Sequence, residues 1–147
     1  MDPMVPLISS RSAGPLGVVH LPRLWLKISL HAVGRLPEGY RHGVGGFDAM
    51  TFENLGIDGA AFIAYVESEL PTYVQCEQWV REHATNLTPG AIATHNEMIL
   101  NRDKTPEAAA EQRATIGIDA PDLRHAITLN DLDDWTTAHV LIVAHRA

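Results

Sequence analysis

The stretch Leu21-Pro22-Arg23-Leu24-Trp25-Leu26-Lys27-Ile28-Ser29-Leu30-His31-Ala32-Val33-Gly34 decides the fold. Leu24, Ile28 and His31 return at helical spacing, so one face of a helix turns toward a core. Pro22 suits the first turn, where its missing N–H is not needed. Gly34 can end the helix in the left-handed conformation. Leu21 to Val33 is therefore read as an amphipathic helix, with Lys27 one turn before His31.

The same start-and-stop grammar recurs downstream. Asp58 is an N-cap for a helix over Gly59 to Glu69, with Phe62, Ile63 and Val66 inward and Pro71 as the stop. Thr72 caps a helix to His83 that buries Tyr73, Cys76, Trp79 and Val80. Thr88-Pro89 opens a helix over Ala91 to Leu100, and Thr105-Pro106-Glu107 opens another over Ala108 to Thr115. Asn130 or Asp131 starts a last helix to Ala144. Asp131, Asp133 and Asp134 at its beginning and His145 and Arg146 at its end match the helix dipole. Leu132, Trp135, His139 and Ile142 fall on one stripe of it, although Val140 to Val143 also fits a short terminal strand. The expected fold is mainly α: a single-domain bundle of five or six short helices with a glycine-rich loop.

Upstream, residues 1–20 contain Pro3, Pro6, Gly14, Pro15 and Gly17, which break regular structure, and read as an arm on the surface of a helical domain over 21–147. The glycine-rich loop is Leu36-Pro37-Glu38-Gly39-Tyr40-Arg41-His42-Gly43-Val44-Gly45-Gly46-Phe47-Asp48. Long structured loops carry function more often than helix surfaces do. No Lys-Ser/Thr pair follows the glycines and no strand precedes them, so this is not a nucleotide phosphate loop.

A net charge of −7 argues against a general nucleic-acid binder, which needs clustered Lys and Arg. Arg11, Arg23, Lys27, Arg35 and Arg41 make the first third locally cationic, which leaves room for a small anionic ligand. Cys76 is the only cysteine, which excludes an intrachain disulfide and a cysteine zinc cluster; it reads as a small core residue. No apolar run is long enough to span a membrane, and residues 1–17 lack the pattern of a signal peptide. A cytoplasmic address is the simplest expectation.

Eight histidines invite a proton-transfer reading, because imidazole titrates near neutral pH. His31 on the first helix is either a core histidine or a base at a pocket mouth. His42, in the loop with Tyr40, Arg41 and Asp48, is either a solvated residue or part of a converging site. His139 beside Trp135 reads as a core histidine able to face His95 or His31. His20, His83, His125 and His145 read as helix-end or loop residues. No His-x-x-x-His pair exists, so a metal site would have to gather distant residues such as His31, His42, His95 and Asp48. A Ser-His-Asp triad has no Gly-x-Ser-x-Gly elbow behind it, since Ser9, Ser10 and Ser12 lie in the arm.

Several segments occur in a recognisable order: His20-Leu21-Pro22-Arg23-Leu24, Lys27, Gly34, Leu36-Pro37-Glu38-Gly39-Tyr40-Arg41-His42, Gly46-Phe47-Asp48, Leu55-Gly56-Ile57-Asp58, Trp79-Val80 and Asn96-Glu97. This order resembles the domain-of-unknown-function family 5069 over about residues 17–100. The resemblance implies a small, largely helical, cytoplasmic bacterial domain and implies no activity. Leu26, Ser29 and His95 depart from residues common in the family (acidic, Arg and Trp respectively). The chain beyond about residue 103 reads as a divergent C-terminal extension.

The expected function is a small cofactor-independent enzyme using histidine acid/base chemistry on a small organic substrate: elimination, isomerisation, cyclisation or hydrolysis. His42, His95, Asp48 and His31 are the candidate catalytic residues. Lys27, Tyr40, Arg41, Asn96 and His139 are the candidate substrate contacts. One alternative is a non-catalytic small-molecule-binding or protein-interaction module, with a partner or a second copy on the last helix. The other is a metal-binding protein using His and Asp.

Overall fold

The computed structural model describes residues 2–146 and places seven helices among them. They are α1 (Leu21–Ala32), α2 (Gly46–Leu55), α3 (Gly59–Glu69), α4 (Tyr73–His83), α5 (Pro89–Leu100), α6 (Pro106–Ile116) and α7 (Ala126–Ala144). The fold is all-α, one helix richer than expected, and the stretch 140–143 continues α7 rather than forming a strand.

Local chemistry sets the helix starts. Asp58, Thr72, Thr88 and Thr105 each accept a hydrogen bond from the amide three residues on, at 3.1–3.2 Å. Such a cap is worth about 1 kcal/mol. The helix not foreseen is α2. Its buried residues Asp48, Thr51, Phe52 and Leu55 do have helical spacing, but two of the four are polar, so they form no apolar stripe.

The start of α7 also moves. His125 caps it through Nδ1, which accepts from the Thr128 amide, while Nε2–H donates to the Leu100 carbonyl at 2.7 Å. Asp131, Asp133 and Asp134 therefore lie inside the helix instead of neutralising its first turn. The stripe of Leu132, Trp135, His139 and Ile142 is not a core face either. Trp135 is 61% and Ile142 69% exposed, and His139 is exposed with them, so it meets neither His95 nor His31.

α1 is the hub, packing on α3 and α4, while α2 pairs with α5 and α6 with α7. Leu21, Leu24 and Ile28 meet Phe62, Val66, Cys76 and Val80 in the main core. Burial pushes the Cys76 thiol up to about 12, so it is a packing residue and not a nucleophile. A smaller cluster of Val19, Ile99 and Ile127 joins the arm to α5 and α7.

The arm lies partly exposed, as at Met4 and Leu7, but sends some of its residues inward. Val5, Ser10, Val18, Val19 and His20 are all buried. α5 holds its last residues: Asn96 accepts from the Val19 amide at 3.0 Å and donates to the Gly17 carbonyl at 2.8 Å. The chain then enters α1 through His20 in the left-handed conformation, φ 72°, which is costly for a residue with a Cβ.

Candidate functional site

Asp48 stands in the first turn of α2 and is almost wholly buried. A buried carboxylate must be paired and hydrogen-bonded to be tolerated. Lys27 of α1 supplies both needs, with Nζ at 2.9 and 2.8 Å from the two oxygens. The Gly43 amide donates to Oδ2 at 2.8 Å, and the His20 ring reaches Oδ1 at 2.6 Å through Nε2. Burial alone would raise the Asp48 pKa, but the hydrogen bond from His20 and the charge of Lys27 outweigh it and bring it to about 2.

His20 is fully enclosed, and burial lowers its pKa to about 4 against the opposing pull of Asp48. The ring is therefore neutral near pH 7. Since an ionised carboxylate only accepts, the proton sits on Nε2 and is donated to Asp48. Nδ1 is then left as an acceptor, and Ser10 Oγ lies 2.8 Å from it. The outcome is a directional chain: Ser10 O–H to His20 Nδ1, and His20 Nε2–H to Asp48.

This chain forms part of the wall of a cavity of about 650 Å³. Its other walls come from the 39–47 segment, the end of α5, the start of α6 and one side of α7. Lys27, Arg41, Arg102 and Lys104 bring positive charge to it, against Asp48, Asp103 and Asp133. Burial lowers the Lys104 pKa, and its ammonium donates to the neutral Asn130 amide oxygen at 2.9 Å. Arg41 lies beside Gly45, close to the N-terminus of α2, which no side chain caps. Amides at such an end, together with a guanidinium, attract negative charge. Tyr40 also faces the cavity and donates to Asp134 at 2.8 Å; burial, reinforced by that carboxylate, raises its pKa.

Of the expected site residues, Lys27, Tyr40, Arg41 and Asp48 line this one cavity. The others are elsewhere. His42 stacks on His31 with ring centroids 3.6 Å apart, and His31 Nδ1 is 3.6 Å from Glu67 on α3, outside the cavity lining. Burial and its stacked neighbour lower the His42 pKa. His95 is a satisfied structural residue: Nε2–H donates to the Val19 carbonyl at 3.1 Å and Nδ1 accepts from Asn54 at 3.0 Å. Burial lowers its pKa, against the Val19 hydrogen bond. It borders a separate hollow with Asn54, Asn86 and Thr94. Asn96 clamps the arm, and His139 faces outward. His42, His95 and Asp48 thus do not meet. Among the described residues no group of three or more His, Cys, Asp or Glu is placed to hold a metal ion, so His31, His42, His95 and Asp48 form no such cluster.

Ser10 and His20 are the residues that sequence reasoning missed. His20 begins one of the family-like segments, and its place just before Leu21-Pro22 sets it at a helix start. Nothing local marks it as buried.

The class defined by fold and site is a small all-α domain with a polar, charge-lined cavity. The chain belongs to the family described as Domain of unknown function (DUF5069), whose sequence model matches residues 8–136. The match takes in the arm from Ile8, all of α6 and more than half of α7, so it runs on past residue 103 and a divergent extension from that point is not confirmed. A search of curated proteins found no match.

Proposed function

We propose that the cavity is the active site of a small enzyme that moves protons on a small organic anion, with His20 as the base. The observation that carries this reading is the Ser10–His20–Asp48 chain at a cavity wall, a neutral ring backed by an ionised carboxylate as a general base needs. Asp48 keeps the proton on Nε2 and stabilises the imidazolium that forms when Nδ1 takes another. Lys27 holds Asp48 in place. Arg41, Arg102 and Lys104 attract and orient the anionic group, and Tyr40 offers a hydroxyl edge. Elimination, isomerisation, cyclisation and hydrolysis all fit such a base, and none of them calls on a cofactor in this scheme. A cytoplasmic address in a bacterium goes with the lone buried thiol and with the lack, among the described residues, of a helix long and apolar enough to cross a membrane.

The test is turnover of a panel of small carboxylates, phosphates and their esters by the wild type, His20→Gln and His42→Ala. Loss of turnover by a hundredfold or more in a folded His20→Gln protein, with His42→Ala unchanged, is expected. Full activity in His20→Gln would remove His20 from the chemistry.

The exposed side of α7 favours a second, compatible reading. Trp135 and Ile142 sit a heptad apart on one face of the helix, with Val143 at its edge, and all three are exposed. We take a second copy of the chain as their partner, because exposed apolar side chains on one helix face lose least by pairing with their own kind. Light scattering should give a dimer that Trp135→Glu dissociates; a monomer at all concentrations rejects it.

A further inference from the structure

We infer that Ser10 is a covalent nucleophile and that the substrate is a carboxylic ester carrying a second, anionic group. This rests on the cavity being the active site and goes further by assigning the bond that is broken. Acyl transfer to a serine needs three things in one place: a hydroxyl with a proton acceptor, a group that orients the acceptor, and donors for the oxyanion.

The first two are present as a continuous chain. Ser10 Oγ lies 2.8 Å from the unprotonated Nδ1 of His20, whose other nitrogen is fixed on Asp48 at 2.6 Å. The ring cannot drift, since Ser10 and His20 are each 2% exposed and Phe47 packs edge-on against the imidazole at 5.5 Å. His20 is held in the left-handed region, and strain of that kind in a non-glycine residue collects where geometry serves chemistry.

The third requirement falls to the first turn of α2. Gly46 and Phe47 line the same cavity, the helix has no side-chain cap, and Gly43, Gly45 and Gly46 all take positive φ. Amides at such an end are free to meet a developing negative charge. Arg41, Arg102 and Lys104 remain for the anionic arm of the substrate.

Ser10 Oγ attacks the ester carbonyl carbon as its proton moves to His20 Nδ1. The tetrahedral intermediate collapses, the C–O bond to the alcohol breaks, and the departing oxygen takes the proton from Nδ1. Water then attacks the acyl-serine by the same route, giving the carboxylic acid and restoring Ser10. No oxidant or reductant is involved.

The test uses the full chain and a fluorophosphonate probe, which phosphonylates activated serines. Intact-mass and peptide analysis should find one adduct, on Ser10, absent from Ser10→Ala and formed at least a hundredfold more slowly in His20→Gln. A folded wild type with no adduct at Ser10 overturns the proposal. Should Ser10→Ala fail to fold, Ser10→Cys decides the matter: its thiol should react with iodoacetamide at least tenfold faster than the same thiol in the Ser10→Cys, His20→Gln double variant, and equal rates overturn the proposal. If Ser10 stays unlabelled while His20→Gln still abolishes turnover in the substrate panel, the nucleophile is rejected and the proton-transfer reading stands alone. Labelled Ser10 with unaffected panel turnover would instead reject the broader reading.

Discussion

Arg23 closes a fork on Asp134, with Nη1 and Nη2 at 2.6 and 3.1 Å from the two carboxylate oxygens and 111 positions between the residues. The same Nη1 donates to the carbonyls of Pro6 and Ile8, so one guanidinium ties the arm, α1 and α7 together. Asp134→Ala leaves that charge buried without its partner and should cost about 3–5 kcal/mol of stability. Urea unfolding measures it, and a loss under about 1 kcal/mol would show that the fork is not fully desolvated.

Lys27→Met should raise the pKa of His20. The ammonium opposes a proton on that ring, and without it Asp48 has His20 as its one remaining ionisable neighbour in the cluster. Histidine NMR titration reads the midpoint directly. An unmoved His20 midpoint would mean that the three groups are not electrostatically linked.

Acid should lower the protein's stability over two successive pH ranges. His20 has a folded pKa of about 4 against an ordinary 6.5, so between those values the unfolded chain holds more protons. Its contribution is intact above pH 6.5 and declines as pH falls toward 4, by roughly 3 kcal/mol at about 1.4 kcal/mol per pH unit. Asp48 runs from 3.8 unfolded to about 2 folded, so its contribution is present above 3.8 and is lost as pH drops to 2. Urea midpoints at pH 7 and 4.5 should differ clearly in the wild type and much less in His20→Gln. Equal differences in both would locate the acid sensitivity elsewhere.

His95 and His42 should separate by phenotype. His95→Ala leaves the Val19 carbonyl and the Asn54 amide without partners and opens a cavity, at roughly 2–4 kcal/mol. His42→Ala removes a stacking contact on the outer side of α1 and should change stability by less than about 1 kcal/mol. Thermal melts of the two variants check both halves, and the reverse order would contradict the assignments.

What the sequence disclosed follows from how locally each feature is written. Thr72, Thr88 and Thr105 announce helix starts within three residues, and all three act as caps. α2 escaped because Asp48 and Thr51 occupy half of its buried stripe, and a polar residue turned inward breaks the pattern that marks a helix. Lys27, Tyr40, Arg41 and Asp48 were legible as a group because three of them crowd into one loop and the fourth lies on the preceding helix. Ser10 and His20 were not, since the arm shows only proline and glycine punctuation. Its burial is created by Asn96, His95 and Asp134, residues more than 75 positions away.

That dependence on late residues has a consequence for how the protein comes into being on the ribosome. Ser10 and His20 emerge before the two helices that hold their segment, α5 through its clamp on Val19 and α7 through its pairing with Arg23. A nascent chain that carries only α1 through α4 therefore lacks the cavity walls that the end of α5, the start of α6 and one side of α7 provide.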